Sequence, residues 1–307
     1  MTTFATHYPI YETSAEGILL QAGTLSDFGN SSASPLLAVK ERAIALRSLF
    51  TANGADINDQ SALAQLIADA IYVSDARLCN DQNAGYSHFF NAMQLERIAT
   101  AVLPLAARED AAYHLRKLLR GTLDLLKRER SEAKDTLWEL ELWALLGRLG
   151  ISASLEEPDI VVSFDPVRTG IACKKIYSEA NVSKVISDAV AQIERDFDIG
   201  GVALNIDDLC PPDAIYKAAT HEKIVDGLRR FAHEFIARHE HTFRKYLTPG
   251  RAAFVLVSVG LIGHATNEQV KFNNVRATIV WNIPGLSEAR TAQIRNLLHA
   301  FDAAHRH

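Results

Sequence analysis

The run Pro158-Asp159-Ile160-Val161-Val162-Ser163-Phe164-Asp165-Pro166-Val167-Arg168-Thr169-Gly170-Ile171-Ala172-Cys173-Lys174-Lys175 decides how this chain is read. Residues 159–164 are dominated by β-branched and apolar side chains. Asp165-Pro166 and Thr169-Gly170 carry turn chemistry, and a second apolar run, Ile171–Ile176, follows. That pattern predicts a β-hairpin. Residues two apart on a strand share a face, so Ala172 and Lys174 point together and Lys175 points the other way.

Working outward, the stretch Ser131–Leu149 predicts a helix stopped by Gly150, a favourable residue just past a helix end. A short strand, Ile151–Leu155, leads into the hairpin. After it, Val182, Val185, Ile186, Ala189, Val190 and Ile193 mark the buried side of a helix over Ala180–Arg195. Gly200-Gly201 ends that helix, and no GKS or GKT follows to make it a phosphate loop. Val202–Ile206 then reads as a compact buried strand. The predicted order is helix, three strands, helix, strand.

Beyond Pro211-Pro212 the sequence predicts helix to about Tyr246, strands at Ala253–Ile262 and Val275–Ile283, and a terminal helix from Leu286 to Ala304. No linker separates these strands from the core, so they are expected to extend the same sheet. Upstream, helical spacing is expected over Pro35–Phe50, up to Ile71, over Asn91–Val102 and over Arg108–Leu126. The fold class is therefore α/β: a mainly helical accessory region, 1–126, precedes an α/β domain, 127–307.

With 307 residues, 48% hydrophobic and 22% charged, the composition is that of a globular protein. Its net charge of −5 argues against a role in coating nucleic acid but leaves room for a local basic groove. Cys79, Cys173 and Cys210 form no CxxC pair, which argues against structural zinc and suits reduced thiols. The N-terminus lacks the pattern of a signal peptide, and the longest apolar run, Ala252–Ile262, is too short to span a bilayer. The expectation is a cytoplasmic protein with no membrane partner. His221, His233, His239 and His241 lack the spacing of a zinc site and read as part of a solvated amphipathic helix. The basic run Arg116-Lys117, Arg120, Lys127-Arg128, Arg130 and Lys134 is ordinarily a solvated face, though its place beside the core suits phosphate contacts.

Glu141 in Trp138-Glu139-Leu140-Glu141-Leu142, then Pro158-Asp159, then Ala172-Cys173-Lys174-Lys175 resemble the ordered motifs of the PD-(D/E)XK nuclease superfamily. The resemblance covers about Ser131 to Asp207 and rests on the order and spacing of short motifs. It implies a restriction-endonuclease-like core and a Mg²⁺ or Mn²⁺ ion held by Glu141, Asp159 and the Cys173 carbonyl. Lys174 would assist the attacking water, and Gln192 on the next helix would support the site. The sequence departs from the pattern at Ala172, where an acid is expected and no ligand atom exists.

Physical chemistry bears on the same residues. A hard divalent ion wants oxygen ligands, and it activates water while an ammonium offsets the growing negative charge. At helical spacing Glu141 neighbours Leu137, Trp138, Ala144 and Leu145, where an unpaired carboxylate is costly and needs a partner, whether a metal or an arginine from the N-terminal region. Glu139, beside Asp135, Thr136, Leu142 and Trp143, is the lesser candidate. The expected function is metal-dependent phosphodiester cleavage, with DNA as partner and bacterial anti-phage defence as a fold-level analogy. The alternative is a catalytically inactive nuclease-like protein that binds nucleic acid or a partner protein, with the N-terminal helices as docking surface.

Overall fold

A computed structural model describes residues 10–13, 19–22, 35–78, 86–164, 167–212, 215–268, 272–282, 287, 288, 291, 292 and 295. In chain order the elements are β1 (Ile10–Thr13), β2 (Leu19–Ala22), α1 (Pro35–Ala52), α2 (Ala62–Leu78), α3 (Tyr86–Val102), α4 (Ala111–Leu118), α5 (Glu132–Arg148), β3 (Ala153–Ser154), β4 (Ile160–Phe164), β5 (Val167–Lys175), α6 (Val182–Ile193), β6 (Gly200–Asn205), β7 (Ile215–Ala218), α7 (His221–Leu247), β8 (Phe254–Ala265) and β9 (Phe272–Trp281). The fold is mixed α/β. The expected order of helix, three strands, helix and strand is present as α5, β3, β4, β5, α6 and β6.

Several boundaries differ from the sequence reading. The hairpin strand β5 starts at Val167, so Thr169 and Gly170 sit inside it, opposite Val162 and Val161. Helix α4 stops at Leu118 rather than running to Leu126. Beyond it, Gly121 at φ 110° adopts a conformation a helix does not allow. The helix expected directly after Pro211-Pro212 is preceded by the strand β7, and the strands β1 and β2 pair within the region expected to be mainly helical. The terminal helix expected over 286–304 falls mostly outside the described residues, as does Cys79.

The main sheet runs β3-β4-β5-β6-β8, with β7 and β9 also paired to β8. Strands β5, β6 and β8 are parallel, whereas β3, β4 and β9 run antiparallel to their neighbours. The two downstream strands thus join the same sheet. Alternation along the strands divides the core. Ile160, Val162, Ile171, Cys173 and Ala203 pack toward α5 and the N-terminal helices, while Ala172, Val202 and Leu204 pack toward α6 and α7.

The first of these apolar clusters runs without a break from Val39, Leu46 and Phe50 through Leu95 and Leu115 to Leu137, Trp138, Ile171 and Leu256. Packing is therefore continuous across residue 126. Helices α3 and α4 pack against the outer surface of α5, α1 and α2 pack on α3, and α5 is itself buried against the sheet.

Because β9 occupies one edge of β8, strands β6 and β7 share the other. Strand β6 covers Phe254–Ser258, and β7 covers Ile262–Ala265. The gap between them would strand a backbone N–H, a costly omission in a buried sheet. Asp207 fills it, accepting from Gly260 N at 2.7 Å.

Candidate active site on two sides of helix α5

The N-terminal end of β4 places Asp159 opposite Ala172 when the register Ile160 to Ile171 is continued by one residue. One carboxylate oxygen, Oδ2, accepts from Cys173 N at 2.7 Å and from Lys174 Nζ at 3.1 Å. Continuing the register once more sets Pro158 across from Cys173. Proline has no N–H, so the β4–β5 ladder offers the Cys173 carbonyl no donor. That carbonyl points to the same side of β5 as the Cys173 N–H, toward Asp159. Gln192, from α6, donates to the Pro158 carbonyl and to Glu157 Oε2, the latter at 3.0 Å. Asp159, Lys174, Gln192 and the Cys173 backbone therefore converge.

Glu141 does not join them. Arg97 of α3 grips its carboxylate through two N–H groups, and Arg276 of β9 donates to it at 2.7 Å. Arg97 also donates to Asp207 at 2.5 Å, and Arg276 donates to Ser258 at 3.0 Å while lying 5.5 Å over the Trp138 ring. Burial opposes the Glu141 charge, but Arg276 and Arg97 outweigh it and hold the carboxyl below its ordinary range. Burial likewise opposes the charge of Asp207, and Arg97 and Lys175 still hold it far down. The result is a closed, fully paired ionic cluster. A shallow cleft lined by Gln94, Arg97, Arg128 and Asn274 among others lies on this side of the helix.

The carboxylate of α5 that feels the charge of Asp159 is Glu139. An α-helix turns about 100° per residue, so side chains two apart lie roughly 200° apart and cannot serve one site. Glu139 Oε2 lies 3.3 Å from Lys117 Nζ of α4. Burial, then the nearby Asp159 charge, push its carboxyl up to about 7, against the pull of Lys117 and Lys174. Burial also raises Asp159 despite Lys174 and the Cys173 N–H. Both carboxylates are therefore disfavoured as anions, a condition that an added cation would relieve. The polar neighbours Asp135 and Thr136 were the sequence signal for Glu139, because they mark the less apolar side of α5.

Lys175, on the opposite face from Lys174, is buried and pairs with Asp208 at 2.5 Å and Asn205 at 2.8 Å. Ala172 is fully buried among apolar side chains of the α6 and α7 layer. Among the described residues, no three His, Cys, Asp or Glu side chains form a ready-made metal cluster. The available donors are two carboxylates, Asp159 and Glu139, and one carbonyl, Cys173, a hard-oxygen set suited to Mg²⁺ or Mn²⁺ rather than zinc.

The basic run is not one solvated face. Lys117 faces Glu139, Arg120 pairs with Glu132, and Arg128 donates to the carbonyls of Cys210, Leu125 and Pro211. Lys134 is buried against the carbonyls of Lys127 and Glu129. Nor is His221 on a solvated surface: it is buried at the start of α7 with Nδ1 2.6 Å from Glu268. No described helix is long and apolar enough to cross a membrane. No family model, curated protein or solved structure matches the chain.

Proposed function

We propose that the protein is a metal-dependent nuclease with a restriction-endonuclease-like core, cleaving phosphodiester bonds in DNA. The observation that carries this reading is the convergence of Asp159, at the start of one strand, with Lys174 on the neighbouring strand at 3.1 Å, supported by Gln192 from the next helix. Three of the residues named by the resemblance, Asp159, Lys174 and Gln192, support it, and Glu141 does not.

Asp159, Glu139 and the Cys173 carbonyl would hold Mg²⁺ or Mn²⁺, which supplies Lewis acidity and an activated water when bound. Glu139 takes the place expected of Glu141, whose charge is consumed by two arginines. Lys174 carries its ammonium to the edge of the site, where it can orient a water or offset negative charge on a phosphoryl oxygen. Gln192 holds the Glu157-Pro158 segment and so aims Asp159. The substrate being DNA, and a role in anti-phage defence, rest on analogy with that fold.

The test is nicking of plasmid DNA with Mg²⁺ or Mn²⁺ by the protein, by Asp159→Ala and by Lys174→Ala. Loss of nicking in both variants supports the assignment; equal nicking by all three dismisses it.

Ala172 favours a second reading, a nuclease-like protein that binds nucleic acid or a partner without cutting. Its methyl group lies opposite Asp159 where a further ligand is expected. Titration with Mn²⁺ separates the two readings. Saturable binding that is lost in Asp159→Ala supports the enzyme, and no binding supports the non-cleaving protein.

A further inference from the structure

Helix α4 comes from the N-terminal region, yet it carries Lys117 to the candidate site, 3.3 Å from Glu139 and within electrostatic reach of Asp159. One turn earlier on the same helix face stands Tyr113, whose ring lies 5.7 Å from Lys117 Nζ. Tyr113 is 61% exposed, the most open of the large hydrophobic side chains among the described residues. Its other ring contact is with His114, edge-on at 5.1 Å. Arg116, three positions from Tyr113 on the same helix, is exposed as well.

A single exposed tyrosine is ordinary. What sets this one apart is its company: an open aromatic ring, an exposed guanidinium, and an ammonium that reaches directly into a carboxylate pair beside Lys174. An aromatic face flanked by cations is the combination that binds a nucleic-acid strand whose bases are unstacked. A closed duplex presents no base face to such a ring.

We propose that α4 is a single-strand platform, with Tyr113 stacking an unpaired base while Lys117 and Arg116 hold the adjoining phosphates. The choice of nucleic acid as ligand rests on the nuclease reading. The platform itself goes beyond that reading, because it selects single-stranded or frayed ends over intact duplex. It also gives the N-terminal region a part in substrate choice.

The test is fluorescence anisotropy in EDTA with a labelled 15-nucleotide DNA strand and with the same sequence as a blunt duplex. The wild-type protein is expected to bind the single strand more tightly. Tyr113→Ala should weaken single-strand binding by roughly five- to a hundredfold, the range for loss of one base–aromatic stack. Duplex binding should stay within about twofold on the same argument, and Tyr113→Phe should retain the wild-type affinity because the ring is kept. Lys117→Gln should lower the salt dependence for the single strand by about 0.7 in log–log slope, the contribution of one phosphate contact.

Equal affinity of the wild type for strand and duplex, undetectable binding to the strand, or an unchanged single-strand affinity in Tyr113→Ala would overturn the proposal. Metal-dependent plasmid nicking separates it from the reading beneath it. Tyr113-dependent strand binding without nicking keeps the platform and removes the nuclease. Nicking with strand binding indifferent to Tyr113 does the reverse.

Discussion

Helix α5 carries two glutamates, Glu139 and Glu141, and the protein treats them in opposite ways. Glu141 faces inward to two arginines, and its charge is fully answered. Glu139 feels the charge of Asp159, with one lysine in contact, and its ionisation is resisted by burial and by its neighbour. One region is a closed ionic knot tying α3, α5, β9 and the β6–β8 junction together. The other sets one lysine against each of two carboxylates, Lys117 on Glu139 and Lys174 on Asp159, and burial still outweighs them. The difference teaches that a carboxylate's burial does not identify a functional site; what matters is whether its partners outweigh the cost of burying its charge.

Breaking the closed side should have the largest effect. Glu141→Ala leaves Arg97 and Arg276 buried without their shared partner, and removing one member of such a buried cluster costs about 3–5 kcal/mol. Urea denaturation should show that loss, whereas Glu139→Ala should cost far less. Comparable losses in the two variants would abolish the contrast.

The pH dependence sharpens it. Glu139 titrates near 7 when folded, above its ordinary value of 4.5. Its contribution is fully present below the unfolded value, where both states hold the proton, and is lost as pH rises toward 7 and beyond. The loss amounts to up to about 3 kcal/mol. Glu141 and Asp207 are lowered, so their contribution stands at neutral pH and disappears as pH falls below the ordinary carboxylate range. Glu139→Gln should therefore flatten the decline in stability between pH 5 and 7.5 while leaving the acid limb in place. A wild-type profile already flat over that window would contradict the position assigned to Glu139.

A smaller effect tests the gap left by Ala172. Ala172→Asp sets a second carboxyl group beside Asp159, at a cost of about 1–3 kcal/mol for a buried polar group that stays neutral and unpartnered. Saturating Mn²⁺ should restore about 2–3 kcal/mol, the linkage expected at roughly a hundred times the dissociation constant. Thermal melts with and without Mn²⁺ read this directly, and a variant equally destabilised in both would show that no cation enters. Smallest of all, Arg120→Gln removes a pair with Glu132 that is open to solvent on both sides. Its midpoint should match the wild type, in line with the low worth of surface ion pairs.

Much of the fold was legible because the information was local. The β-branched run at Ile160–Phe164 and the periodic apolar positions of α6 each state their own conformation, and their order follows, whereas Gly200-Gly201, read as the end of the helix, lies inside β6. The Asp159–Lys174 pair was legible for the same reason, since strand alternation and a hairpin register bring the two together. Glu141 was read as a ligand from the resemblance, while its apolar neighbours demanded only some partner, a metal or an arginine from the N-terminal region, and Arg97 is that arginine. The demand was real, but the partners lie 44 residues before it and 135 after it, on elements whose docking no local pattern encodes. The short strand β7 escaped notice because its four residues pair only with the far end of β8.

The apolar cluster that runs unbroken from α1 to β8 has an evolutionary consequence. A chain whose two halves share one interior cannot exchange either half by recombination near residue 126 without exposing the outer surface of α5 in one product and the inner faces of α3 and α4 in the other. The helical half and the sheet half are therefore bound to be inherited together.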